Sequence, residues 1–329
     1  MTAIISKTAF VTGATGFLGT HLCNQLQEQG WQVFALCRNP QKATELNKEI
    51  TLIKGDILDI ESFSKKLPQK LTAVFHTAAS TNTWFKNNDI QTKTNIEGTK
   101  NILKLAQEKS VEKYIHISSV VVFGIHKTLT NITENLSISG ADSWINYVKT
   151  KTAAENYVLS QNKIDSVIIN PTHIIGPGDT QNWARLIQMI AKNKLPSIPN
   201  GAGSFVDVRD VAAGIIQSFH HGKPGENYLL GGTDMNFKQF VHTVADKLEV
   251  KPTKVQLPNF LLKTLAHVKN NISRITNKEP DITPESVALI SDLYGCDARK
   301  ARKELHYQTR SIDETLTDTL DFLTKEKLI

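Results

Sequence analysis

Cysteine is scarce in this chain: Cys23, Cys37 and Cys296 are widely spaced and odd in number. That excludes a disulfide framework and any cysteine-based metal-ligand spacing, and it points to a reducing compartment. No run approaches the roughly 18 consecutive apolar residues that a membrane-spanning helix needs. The opening Met1-Thr-Ala-Ile-Ile-Ser-Lys7 lacks a basic region leading into an apolar one, the pattern of a secretory leader. A cytoplasmic chain without integral membrane association is therefore expected. Basic residues form no long block, and the net charge of +6 reads as modest and dispersed, which argues against a nucleic-acid partner. His76, His116 and His173 fall in or just after strand-like runs rather than at metal-ligand spacing, so no metal is expected and core positions are.

What is present is alternation. Short apolar runs at Thr8 to Val11, Gln32 to Leu36, Thr51 to Ile53, Ala73 to His76, Tyr114 to Ile117 and Ser166 to Ile169 read as strands. Helical periodicity is clearest over 95–107 and 144–159, and alternation of this kind gives βαβ units and a parallel sheet. Beyond Pro171 the pattern breaks into Gly, Pro and Asn clusters at 176–179 and 196–203, which are loop signals. A unit over 206–220, followed by Tyr228 to Leu230, reads as returning to the sheet, and residues 233–329 read as mainly helical. Asp207, Arg209 and Asp210 read as an ion-pair cluster at a helix start.

The most informative stretch is Phe10-Val-Thr-Gly13-Ala-Thr-Gly16-Phe-Leu-Gly19, where an apolar strand runs into three glycines and then a helix. Gly13 lets the chain leave the strand sharply, Gly16 leaves room for a pyrophosphate, and Gly19 lets helix and sheet approach. This is a dinucleotide-binding turn of the Rossmann type. The fold class expected is a doubly wound parallel α/β sheet with a smaller, mainly helical C-terminal substrate-binding domain. The division is 1–170 with 204–232 for the nucleotide and 171–203 with 233–329 for the substrate. An NAD site of this kind places an acid at the end of the second strand, yet no Asp or Glu occurs from Gln29 to Thr44. Arg38 and Lys42 stand there instead. They suit a 2′-phosphate, so NADP(H) is favoured, with NAD(H) open and an ordinary solvated basic turn as the alternative.

Tyr147 and Lys151 share a helix face at four-residue spacing, a pattern that is common by chance. Its weight comes from its place after the fifth strand and downstream of Ile117-Ser118-Ser119. Together with Gly55-Asp-Ile57, His76-Thr-Ala-Ala79, Asn95-Ile-Glu-Gly-Thr99, Asn170-Pro-Thr-His-Ile-Ile-Gly-Pro-Gly178 and Phe205-Val-Asp-Val-Arg-Asp210, the chain resembles the extended short-chain dehydrogenase/reductase family along nearly its whole length. The resemblance implies Ser119, Tyr147 and Lys151 as catalytic residues, with Lys151 also gripping the nicotinamide ribose. It implies Asp56 and Ile57 at the adenine. It further implies Thr15, Phe17, Leu18, Thr77, Ala78, Ala79 and Pro171 along the cofactor. A tyrosine near its free pKa is a poor base at neutral pH. A lysine ammonium about 5 Å away would favour phenolate by roughly 3 kcal/mol, so a lowered Tyr147 pKa is expected.

Among the family's reactions, dehydration needs an acid pair where this chain has Val120 and Val121. Arg38-Asn-Pro and Ile169-Asn-Pro-Thr172 resemble the dihydroflavonol-reductase branch. The expected activity is hydride transfer between a dinucleotide and a small-molecule carbonyl or alcohol. A nucleotide-sugar epimerase holding NAD tightly is the alternative, and a non-catalytic dinucleotide sensor is a more distant one. A homodimer through the helices over 95–107 and 144–159 is a further expectation. The stretch Leu257 to Val268 is amphipathic, with a core or pocket helix expected and membrane-surface contact as the alternative.

Overall fold

The structure, a computed structural model, describes residues 7–329; residues 1–6, on which most of the leader pattern falls, lie outside the described residues. The chain runs β1 (Thr8–Thr12), α1 (Phe17–Glu28), β2 (Gln32–Cys37), β3 (Thr51–Lys54), β4 (Ala73–His76), α2 (Asn88–Thr92), α3 (Gly98–Glu108) and β5 (Lys113–Ile117). There follow β6 (Thr130–Ile132), α4 (Asn146–Leu159), β7 (Ser166–Pro171), β8 (His173–Ile175), α5 (Trp183–Ala191), β9 (Ala202–Asp207), α6 (Val208–His221) and β10 (Asn227–Leu230). The remainder is mainly helical: β11 (Thr233–Asn236), α7 (Phe237–Lys247), α8 (Asn259–Thr276), α9 (Pro284–Ile290), β12 (Tyr294–Cys296), α10 (Arg299–Glu304) and α11 (Ile312–Lys325).

Seven strands form one parallel sheet in the order β10-β7-β5-β4-β1-β2-β3. The direction of winding reverses between β1 and β4, so the carboxyl ends of those two strands open a crevice where ligands of doubly wound sheets bind. Strand side chains alternate between two faces. Val11, Phe75, Ile115 and Ile169 pack with Leu22 of α1 and Ile215 of α6. Phe10, Val74, Tyr114 and Ile168 pack with Ile102 of α3 and Val158 of α4.

The expected return of the 206–220 unit is met only in part. β9 pairs parallel with β8 and antiparallel with β11 in a separate three-stranded sheet, and only β10 joins the main sheet beside β7. The reason is geometric. The chain leaves β7 through Pro171 and Thr172 into β8, which offers β9 a free ladder edge, while the main-sheet edge beside β7 is taken by β10. The helix expected over 95–107 starts earlier, at Asn88, and widens into a π turn over Lys93–Glu97. Buried Asn95 lies in that turn. It donates to the Ser80 carbonyl (3.0 Å) and Thr150 hydroxyl (3.0 Å) and accepts from the Ser80 N–H (2.7 Å). Such π turns recur at functional sites.

Candidate active site

The glycine turn sits at the crevice. Gly13 has φ of +68°, and a Cβ there would lie 2.7 Å from the Ala78 nitrogen, so only glycine lets β1 and β4 end this close together. A Cβ on Gly19 would lie 2.1 Å from the Gly13 carbonyl oxygen. Gly16 differs: a Cβ would meet only that carbonyl, at 3.1 Å, and otherwise open space. Gly16 caps α1 without a side-chain hydrogen bond, and no acid lies in the first turn. The N-terminal N–H groups of α1, at Phe17 and Leu18, therefore face an open space with the positive end of the helix behind them. That suits an anionic diphosphate. By this test the residues present fit a dinucleotide.

Around the turn, Thr77 donates to the Thr12 carbonyl (2.7 Å) and Ala78 N–H reaches the Thr12 hydroxyl (3.3 Å), which ties the ends of β1 and β4. Ala79 is exposed. Lys42, in a turn capped by Asn39, lines with Thr15, Gly16 and Phe17 a cleft of about 380 Å³ closed on its far side by Pro177 and Gly178. His21 bonds the Pro177 carbonyl at 2.8 Å and fixes that wall. Arg38 stands exposed at the end of β2, outside that cleft. Asp56 accepts from the Leu58 N–H (2.9 Å). Ile57 points inward, so tightly under α3 that a Cβ on Gly98 would strike it, which leaves backbone rather than side chain for an adenine. Pro171 is buried at the end of β7.

The second group lies at the end of β5. Ser119 caps the short turn Val120–Phe123 by accepting from the Val121 N–H (3.4 Å). Its hydroxyl lies close enough to the Tyr147 phenol to favour ionisation there, yet burial wins and the Tyr147 pKa is raised. Lys151, 3% exposed, donates to the Ile117 carbonyl at 2.7 Å. Burial pushes its pKa down to about 8, with Glu155 one turn on pulling it back up. The expected lowering of Tyr147 by Lys151 is thus not found. Partial burial opposes the phenolate charge more strongly than the Ser119 hydroxyl favours it, and Glu155 balances the lysine charge. Ser119 stands within reach of the Tyr147 phenol, and Lys151 is anchored on the carbonyl of Ile117, two residues before Ser119; the phenol is held neutral.

Glu155 escaped the sequence reading. It is fully buried, and burial raises its pKa against the pull of its polar neighbours and Lys151. Asn170 donates to it at 2.8 Å and reaches the Ser119 carbonyl at 3.3 Å. The signal was available in Lys151-x-x-x-Glu155, a pair one helical turn apart. The seam continues along the sheet. His116 stacks on His76 at 5.6 Å, and His76 bonds Thr12 (2.7 Å) and Thr99 (3.0 Å). Burial holds both imidazoles neutral, His76 down to about 3. Both His116 nitrogens are buried without a hydrogen-bond partner, while the Ser118 hydroxyl interacts with the Glu155 carboxylate. His173 lies instead in a ring cluster with Trp183 (4.7 Å) and Phe205 (5.2 Å). Asp207 caps α6 and pairs with Arg209 (2.7 Å), and Asp210 pairs with Arg310 (2.9 Å), the ion-pair cluster read from sequence.

Residues 9–231 match the NAD dependent epimerase/dehydratase family. Among similar proteins, "Putative dihydroflavonol 4-reductase" of Synechocystis sp. is 30% identical over 94% of this chain and 93% of its own. "Sterol demethylase protein B" of Methylococcus capsulatus is 26% identical over 98% of this chain and 100% of its own. The crystal structure of gox2253 superposes with a TM-score of 0.83 at 29% identity, covering 98% of this chain and 100% of that one. The UDP-glucuronic acid 4-epimerase of Bacillus cereus, solved with NAD, superposes at 0.77 and 22% identity, covering 97% and 99%, a likeness of fold. The chain belongs to the NAD-dependent epimerase/dehydratase family, whose enzymes use NAD or NADP.

Proposed function

We propose that this member of the family is an NADP(H)-dependent reductase of a small-molecule ketone or aldehyde, running in reverse as an alcohol dehydrogenase. What supports the reading is Ser119 within reach of Tyr147, and Lys151 on the Ile117 carbonyl at the carboxyl end of β5, in the same sheet whose β1 runs into the uncapped glycine turn. The bound dinucleotide would supply hydride. The uncapped turn at Gly16, Phe17 and Leu18 would hold its diphosphate, and Lys42 and Arg38 its 2′-phosphate. Asp56, Ile57, Thr77, Ala78, Ala79 and Pro171 would follow its length through backbone and apolar contact. Ser119 would orient the substrate oxygen by hydrogen bond. Tyr147, kept a phenol by burial, is in the state to give that oxygen a proton as hydride arrives. Lys151 would recharge it, and Glu155 favours the protonated Lys151 against the opposing effect of burial. Val120 and Val121 carry no proton, which disfavours dehydration.

In this reading residues 1–170 with 204–232 form the nucleotide half, and 171–203 with 233–329 the substrate half. A reducing, cytoplasmic setting and a homodimer through the helices over 95–107 and 144–159 belong to the same reading. A reductase must exchange its cofactor at every turnover, whereas an epimerase profits from retaining it. The purified protein is therefore expected to bind NADPH at least about tenfold tighter than NADH, roughly 1.4 kcal/mol, and to consume NADPH in proportion to carbonyl substrate. Equal affinities by calorimetry would remove the NADP assignment. One NAD retained per chain, with interconversion of a nucleotide sugar and no net change at the nicotinamide band, would establish the epimerase instead.

A further inference from the structure

The positive charge of the chain is concentrated rather than dispersed once it is counted by sign. Basic residues number 38 and acidic ones 32, and an excess of that size lies in one stretch. Lys251, Lys254, Lys263, Lys269, Arg274 and Lys278 fall between Val250 and Lys278 with no Asp or Glu among them. The stretch contains α8, whose 18 residues reach beyond the expected Val268 because Ile272 and Ile275 continue the apolar period.

One face of α8 is buried, with Leu262 and Ala266 packed in a small cluster against Val287 of α9. Another face is apolar and bare. Leu261 (43% exposed), Leu265 (41%), Val268 (51%), Ile272 (53%) and Ile275 (88%) follow spacings of four, three, four and three, a continuous stripe along one side of a helix. Phe260, at 65%, extends the exposed apolar surface at the N-terminal end. By helical geometry Lys269 borders the stripe on one edge and Thr264 and Asn271 on the other, with Lys263 and Arg274 further round the helix beyond them. Arg274 stacks on Phe85 (5.0 Å), and Lys269 pairs with Asp281 (2.8 Å), just past Glu279, where acids resume. Among the described residues no helix is long and apolar enough to cross a membrane. An amphipathic helix with an exposed apolar stripe in a basic segment lies in the plane of a lipid surface.

We propose that α8 is a docking surface for an anionic lipid bilayer, its apolar stripe entering the acyl boundary and the unopposed positive charge of residues 250–278 drawn to headgroup phosphates. Charge complementarity selects this occupant over a second copy of the chain, which would bring the same cations to the contact. The position gives the docking a consequence. Ser273 of α8 accepts a hydrogen bond from the Trp84 indole (3.2 Å), and Thr283 bonds Thr83 (3.0 Å). α8 and the residues after it therefore roof the segment that leaves β4 at the crevice, and docking brings that segment to the lipid surface.

The test is co-sedimentation of the full chain with vesicles. Wild type is expected to pellet with phosphatidylcholine containing about one-third phosphatidylglycerol, at least roughly tenfold more than with phosphatidylcholine alone, and less as salt rises. The exposed pair Val268→Asp with Ile272→Asp, checked for folding by circular dichroism, is expected to lose this binding. Lys263→Glu with Lys278→Glu is expected to lose the preference for anionic lipid. Absence of wild-type binding at low salt, or undiminished binding by the aspartate variant, would overturn the proposal. So would a wild-type dimer in sedimentation that Ile272→Asp dissociates while vesicles are ignored.

Discussion

The same central strands present two different faces. Toward α1 and α6, Val11, Phe75, Ile115, Ile117, Val167 and Ile169 form an apolar layer. Toward α3 and α4 the strands begin apolar, with Phe10, Val74 and Ile168, and turn polar as they approach their carboxyl ends, with Thr12, His76, His116, Ser118 and Asn170, all buried. Ile115 and His116 are chain neighbours, and on opposite faces of one strand they sit in opposite chemistry. Burying polar groups is costly, and each one left unpaired costs about 1–3 kcal/mol. Both faces carry an apolar core, but only on the α3 and α4 side does it give way to buried polar groups near the strand ends, where Lys151 and Ser119 stand.

The contrast can be broken most directly by substituting that neighbouring pair. Ile115→Ala leaves a cavity in the apolar layer and is expected to cost about 2–5 kcal/mol of stability in chemical denaturation, with kcat/KM little changed below the melting transition. His116→Leu removes two buried nitrogens that have no partner and is expected to leave stability unchanged or raised. A loss at His116 equal to that at Ile115 would mean the polar face is as tightly packed and satisfied as the other. The next effect sharpens the functional side. Tyr147→Phe removes one hydroxyl and is expected to reduce turnover by about a hundredfold or more while NADPH binding stays within a few-fold. Wild-type turnover by that variant would remove Tyr147 from the chemistry.

Much of this was legible in the sequence because it depends on local pattern. The glycine turn declares itself by the strand before it and the helix after it, and Asp207 by its place ahead of a helical run. Three things were not. The unit over 206–220 reads as returning to the sheet, but Val206 cannot say whether its partner is Ile174 of β8 or an edge of the main sheet. The Tyr147 shift has its sign set by burial, and spacing alone gave Lys151 the deciding vote. Glu155 is an ordinary surface residue in a helical pattern until the fold turns its carboxylate inward onto Asn170 and Lys151.

Glu155 is also where the comparison between faces is finest. If the polar face exists to set the protonation of the site, removing its buried negative charge must weaken the hold on the Lys151 proton. In wild type the lysine titrates at about 8, so kcat/KM for carbonyl reduction is expected to fall as pH rises through that value, where the ammonium is lost. Glu155 acts to raise the Lys151 pKa. Glu155→Gln, which keeps the shape and the bond from Asn170, therefore moves the falling limb to lower pH. The most direct measurement is the pH profile of kcat/KM for wild type and Glu155→Gln side by side, with melting temperatures to confirm intact folds. A limb displaced downward in the variant is the expected result, and a limb that stays in place or moves upward contradicts the account.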